Sequence, residues 1–156
     1  MKSDTSTSFG PVKQVDAGPL TVGYAEAGPA GGPAVVLLHG WPYDIHSFAD
    51  TTPTLAAAGY RVIVPFVRGY GTTRFLSNET PRNGQQSVLA VDVIALMDAL
   101  GIDKAILAGF DWGARSGHSA AMTPAERAPQ SKPARMALSM PSASMSAMTS
   151  TARTDC

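Results

Sequence analysis

The sequence predicts an α/β fold over residues 10–115, a mainly parallel sheet with helices on both faces. Three observations predict it. Continuous apolar runs, "AVVLLHG" (34–40), "YRVIVPF" (60–66) and "KAILAGF" (104–110), are rich in β-branched residues and Leu, as strands buried on both faces are. Segments with helical patterning separate these runs, and strands alternating with helices argue for a parallel sheet. Each helical segment closes on a glycine, Gly59 or Gly101.

In chain order, "PVKQVDAG" and "LTVGYAEAG" read as a hairpin turning around residues 17–19, and "GPAGGP" reads as a loop. The strand "AVVLLHG" follows, then a helix within "SFADTTPTLAAAGY" (47–60). After the strand "YRVIVPF", residues 67–84 read as a long polar loop. Its "RGYG" suggests a structured turn whose glycines permit positive φ. "QQSVLAVDVIALMDALG" places Leu89, Val93, Leu96 and Leu100 on one apolar stripe. Asp92 and Asp98 are assigned off that stripe and, like Asp44, are taken as surface or cap residues. "KAILAGF" is the last strand of the series.

After Gly113 this grammar stops. From Ala114 onward there is no Val, Ile, Phe, Tyr or Trp, and Leu138 is the only leucine. Prolines 124, 129, 133 and 141 interrupt any long helix. A segment so poor in large apolar groups has little to offset its ordering entropy. The sequence therefore divides into a flexible start (1–9), an ordered part (10–115) and a low-complexity tail (116–156), expected to be disordered or out of frame. The flank of strand 104–110 is then expected to lie bare and prone to aggregation.

The 156 residues fit one domain, which at this size buries roughly 70% of its unfolded surface. Formal net charge is zero, so nothing invites nucleic acid or an anionic membrane. No apolar run approaches membrane-spanning length, and "MKSDTSTSFGPV" has no secretory core segment. Cys156, the single cysteine, offers neither a disulfide framework nor a cysteine metal site. A cytoplasmic protein without metal or organic cofactor is the expectation; oligomeric state is not legible.

The chemistry concentrates in "GFDWGAR" (109–115). A Gly-x-x-x-Gly frame after a buried strand suggests a sharp strand-to-helix turn that exposes its central side chain, Asp111. Serine is the usual centre of such a turn. A carboxylate is already ionised at neutral pH, its ordinary pKa being about 3.9, but it is a weak nucleophile. Its productive target is a saturated carbon bearing a leaving group, as in an epoxide or alkyl halide. Displacement there leaves an alkyl ester on Asp111, whose hydrolysis needs a general base and an oxyanion hole. The backbone N–H groups of Trp112, at a helix start, and Trp41, in the loop after "AVVLLHG", are the candidate donors.

"LLHGWP", "RVIVPFVRGYGTT" and "GFDWGAR", in this order and spacing, resemble the α/β-hydrolase fold, in its epoxide hydrolase and haloalkane dehalogenase branch. The resemblance covers residues 10–115, so an incomplete α/β-hydrolase fold is implied. It implies Asp111 as nucleophile and Trp41 and Trp112 as oxyanion donors, with His39, Gly40, Pro42, Gly109 and Gly113 as the supporting motif. The implied partner is a small molecule, an epoxide or alkyl halide. "HGWP" leans toward epoxide hydrolases, while the Trp112 indole would also suit halide binding. Phe66 departs from the more frequent "PDLRG". The branch further implies a late His base, an acidic partner and a cap with tyrosines, and nothing in this sequence matches them.

Bland readings stand beside these. Asp111 alone would suit a helix N-cap, and Trp112 alone would suit core packing. His39, at the end of a buried strand, reads as a hydrogen-bonded structural residue. His46 reads as the start of a solvated helix. His118 lies seven residues beyond Asp111 on the same element, a poor place for a base. A dinucleotide site would want G-x-G-x-x-G straight after a strand, whereas "GPAGG" precedes one. The remaining alternatives are a non-catalytic binding module of the same fold and an incomplete, inactive hydrolase.

Overall fold

The computed structural model describes residues 9–122 and the backbone of a short strand at 136–139. Strand β1 (Lys13–Ala17) turns through Gly18 and Pro19 into β2 (Leu20–Ala27), antiparallel, with Ala17 opposite Leu20. Gly18 has φ +58°, which a residue with a Cβ adopts only under strain. Strands β3 (Ala34–Leu38), β4 (Arg61–Pro65) and β6 (Ala105–Gly109) are the three apolar runs. β3 lies at the centre, parallel to β4 on one side and to β6 on the other. With the short strand β7 (Met136–Ser139) included, the sheet order is β1-β2-β4-β3-β6-β7, with β2 antiparallel to β4. The expected α/β architecture, a mainly parallel sheet flanked by helices, is what the chain adopts.

Strand periodicity divides the core in two. Val36, Leu38, Ile63, Ala105 and Leu107 point to one face and join Leu89, Val93, Leu96 and Met97 of helix α2 (Gln86–Ala99) and Ala120 of helix α3 (Trp112–Met122). Val35, Leu37, Val62, Val64, Ile106 and Ala108 point to the other, against Ile45, Phe48 and the partly buried Leu55 and Ala56. Each central strand thus shows apolar residues to both layers, which is why these runs have no polar alternation.

Both glycine stops are geometric caps. The N–H of Gly101 bonds the Asp98 carbonyl at 3.1 Å and that of Ile102 bonds Met97 at 2.8 Å, the paired closure of a left-handed helix end. Gly59 and Tyr60 repeat it at helix α1 (Thr51–Ala57), bonding Ala56 and Leu55 at 3.0 and 3.2 Å.

The structure departs from the sequence reading in four places. The helix expected over 47–60 is split into a 3-10 turn, Ile45–Phe48, and α1. Asp44 caps the 3-10 turn by accepting the His46 N–H, and Pro53 falls in the first turn of α1, where its missing N–H costs nothing. The polar loop contains a two-residue strand, β5 (Arg74–Phe75), paired with β2. Asp92 is not a surface residue. It is buried, for it stands three residues from Leu89 and four from Leu96, within the apolar face. Order also continues beyond 115: α3 runs to Met122, and β7 (Met136–Ser139) pairs in parallel with β6, covering the flank expected to be bare. The small side chains of "ARSGHSAA" suffice because Ser116, Gly117 and Ala120 let α3 lie close on the sheet. The expectation of disorder for the rest of the tail concerns residues outside those described, as does that of a flexible start for residues 1–8, whereas Phe9, the last residue of that expected start, is buried in the layer of Ile45 and Phe48.

Candidate active site

Three loops meet at the carboxyl ends of the central strands: 39–44 after β3, 66–73 after β4, and Phe110–Asp111 after β6. The last is the tightest. β6 ends at Gly109 and α3 begins at Trp112, so two residues reverse the chain. Asp111 bears the strain with φ +50°, the one positive-φ residue other than glycine among the described residues. Such a conformation costs roughly 1–2 kcal/mol for most side chains and less for Asp. A Cβ at Gly109 or at Gly113 would strike the Leu38 carbonyl oxygen, so both glycines of the frame let the elbow sit against β3.

The Asp111 carboxylate does not fold back onto α3. Its Oδ2 accepts the backbone N–H of Trp41 at 3.0 Å, across seventy residues of sequence. Gly40 makes the approach possible, since a Cβ there would come within 2.6 Å of the Asp111 Cβ. The Gly40 carbonyl also accepts the Tyr43 N–H at 3.0 Å, closing a turn that contains the cis Trp41–Pro42 bond. Trp112 opens α3, where a first-turn N–H has no helical carbonyl partner. Asp111 is exposed, and so are the side chains of Trp41, Tyr43 and Trp112 in the flanking segments. Burial, and then the Asp111 charge nearby, push the Tyr70 phenol above its usual pKa.

His39 is fully buried and holds two of the loops together. Its Nε2 accepts the Val67 N–H at 3.1 Å, and its Nδ1 lies 3.2 Å from the Gly40 carbonyl oxygen. An Nε2 that accepts cannot carry a proton, so in the neutral ring the proton sits on Nδ1 and is donated to Gly40. Burial holds this imidazole below its ordinary pKa, outweighing the Gly40 bond and the Asp44 charge. The Tyr70 ring packs edge-on at 4.8 Å.

The other histidines stand apart. His46 Nδ1 pairs with Asp44 Oδ1 at 2.9 Å on the surface. His118 is exposed, two turns or about 10 Å further along α3 than Asp111. A mostly apolar cavity lined by Leu38, Leu89, Val93 and Leu96, with Arg68 and Asp92 in its wall, does not include Asp111. Among the described residues no cluster of three metal-binding side chains occurs, and no helix is long and apolar enough to cross a membrane.

Sequence reasoning missed the Arg68–Asp92 pair. Arg68 Nε and Nη2 bond the two Asp92 oxygens at 2.8 and 2.7 Å, with both side chains nearly buried. The spacing of Asp92 from Leu89 and Leu96 was the available signal, since a charge on an apolar helix face calls for a buried partner.

A family described as alpha/beta hydrolase fold matches residues 33–154. The chain belongs to the α/β-hydrolase fold family. Its similarities within that family run to epoxide hydrolases. It is 37% identical to epoxide hydrolase A of Mycobacterium tuberculosis over 100 residues, which are 64% of this chain and 30% of that protein. It is 36% identical over 109 residues to a fluoroacetate dehalogenase of a Burkholderia species, covering 69% of this chain and 35% of that protein. A crystal structure of a Klebsiella pneumoniae protein proposed to be an epoxide hydrolase superposes with TM-score 0.69 at 59% identity, over 72% of this chain and 37% of that one. The chain spans about a third of the length of these relatives.

Proposed function

We propose that this α/β-hydrolase chain carries the nucleophile and oxyanion half of an epoxide hydrolase-like site, with Asp111 opening an epoxide through a covalent ester. The single observation that carries the reading is the bond from the Trp41 N–H to Asp111 Oδ2. It engages one carboxylate oxygen and leaves the other for attack. Oδ1 forms a bond to an epoxide carbon, the ring C–O bond breaks with its electron pair going to oxygen, and that oxygen takes a proton from solvent water, which reaches the exposed site and is left as hydroxide. The resulting ester keeps Oδ2 as its carbonyl oxygen. When water attacks the ester carbon, negative charge collects on Oδ2, already facing the Trp41 amide; the Trp112 N–H, unpaired within the first turn of α3, is the second donor in this reading.

Hydrolysis of the ester needs a base, and no described histidine is placed for it. His39 is occupied at both nitrogens, His46 belongs to Asp44, and His118 lies two turns along the helix. We therefore read the chain as incomplete for turnover, so that it alkylates once and stops.

Incubation with styrene oxide, followed by intact mass and peptide mapping, tests this. One adduct per chain on Asp111, absent in Asp111→Asn, is the expected result. Asparagine suits the same left-handed backbone, so the control retains the elbow. Steady diol release over many cycles would refute the single-turnover reading, and a folded chain that gains no mass would refute the nucleophile.

A second reading has its own support in the dehalogenase similarity and the exposed Trp112 indole. An alkyl halide would then give the same ester with halide release. A binding module of this fold would instead show saturable ligand binding with no mass increase.

A further inference from the structure

The loop between β4 and α2 reaches the Asp111 site at Tyr70, whose phenol feels the Asp111 charge, and several bonds fasten it. Arg68 is the fastener. Its guanidinium makes the two-pronged bond to Asp92 of α2, donates from Nη1 to the Asn83 carbonyl at 3.2 Å, and lies 5.3 Å from the Phe75 ring centre. One side chain thereby ties the start of the loop, its far end, its middle and a helix. The next residue back, Val67, gives its N–H to His39 Nε2, and His39 gives its Nδ1 proton to the Gly40 carbonyl. Gly40 leaves no room for a Cβ beside Asp111, since one there would come within 2.6 Å of the Asp111 Cβ, and the following amide is the one that holds the carboxylate.

A buried ion pair is a weak way to gain stability, because desolvation offsets most of its attraction. It is a strong way to fix geometry, because a two-pronged Arg–carboxylate pair has one orientation. We propose that the buried Arg68–Asp92 pair is a positioning device for the Asp111 site, acting through Val67 and the neutral, Nδ1-protonated His39 to set the Trp41 amide against the Asp111 carboxylate. The inference deepens the nucleophile reading and rests on it for its catalytic consequence, but the structural link can be measured by itself.

The test is proton–nitrogen NMR of the whole chain. In the unsubstituted protein the His39 ring is expected to show a protonated Nδ1 and a bare, hydrogen-bonded Nε2, and the Trp41 amide proton to resonate downfield. In Arg68→Lys, which keeps the charge but loses the two-pronged geometry, the Trp41 amide should move upfield, toward its position in Asp111→Ala. Amides at the centre of β3 and β6 should stay where they are. His39→Gln, which restores an acceptor for the Val67 N–H, should move it less than His39→Leu. Movement of sheet and Trp41 amides together would mean that the pair merely stabilises the fold, and overturns the proposal. If Arg68→Lys does not fold, the unsubstituted chain still decides: an Nε2-protonated His39 breaks the link.

Alkylation by styrene oxide supplies the second arm. Arg68→Lys should lower the rate at saturating epoxide by about tenfold to a hundredfold, with the half-saturating concentration unchanged. An unaltered rate beside a displaced Trp41 amide would overturn the positioning role. A parent chain that is never alkylated refutes the nucleophile reading instead, and leaves the NMR result standing.

Discussion

Gly40→Ala adds one methyl group at the tightest point of the site. Its Cβ would lie 2.6 Å from the Asp111 Cβ, 2.9 Å from Oδ2 and 3.0 Å from the Phe110 carbonyl oxygen. Ordinary contact begins at 3.4 Å, so the first approach is too short by 0.8 Å. None of these neighbours is the free end of a long side chain. Two belong to the strained elbow and the third to its backbone, so relief must come from parting the elbow and the loop. A parting of that size along the bond would stretch the 3.0 Å contact between the Trp41 N–H and Oδ2 to about 3.8 Å, which is no longer a hydrogen bond. Overpacking costs about 1–3 kcal/mol and loss of a charge-assisted bond about as much. Relieving the first incurs the second, and the carboxylate is exposed, so the combined cost is about 1–2 kcal/mol. For a domain of this size, at about 2–4 °C per kcal/mol, that lowers the unfolding midpoint by roughly 2–8 °C. Alkylation should slow by about a hundredfold, the usual effect of a misplacement near 1 Å. The assays are a thermal melt and the time course of mass gain with styrene oxide. Gly31→Ala is the control, since nothing lies within 4 Å of its added Cβ. Parent-like melting and alkylation in Gly40→Ala would refute the claim that this glycine sets the distance between amide and carboxylate.

Stability should be flat from about pH 8 to about 6.5 and fall as pH drops further, because the unfolded chain gains a proton at His39 that the folded chain refuses. Denaturant titrations across this range check it, and His39→Gln should abolish that limb while leaving the steeper loss below about pH 4. That loss belongs to groups such as Glu26, whose burial is outweighed by hydrogen bonds from Lys13 and Arg61 that hold its carboxyl below the usual range. Asp92→Leu strands a buried guanidinium and should cost about 3–5 kcal/mol in urea melts, whereas Arg68→Met with Asp92→Leu should recover most of it. Near-equal losses in the single and double variants would refute that assignment. Thr52 is buried with a hydroxyl that finds no partner among the described residues, so Thr52→Val should be neutral or stabilise by up to about 1 kcal/mol in the same melts.

The legible part of this protein is whatever depends on local periodicity. Continuous apolar runs gave β3, β4 and β6, the hairpin signals gave β1 and β2, and Gly59 and Gly101 ended their helices as read. These features follow from backbone sterics and from apolar surface in consecutive residues, so the chain carries them in linear order. The Gly-x-x-x-Gly frame likewise announced a tight elbow at Asp111, because only glycine permits that closeness to β3. Sequence order could not tell whether the Asp111 carboxylate would cap its own helix or face another loop. That choice was made by β3 and β6 lying side by side, which sets the Trp41 amide 3.0 Å from Oδ2. Nor could it give Asp92 a partner 24 residues away or His39 its two backbone bonds, since a buried polar group is satisfied by whatever folding brings to it. Short-range sterics fixed the elements, and long-range pairing of polar groups decided the site.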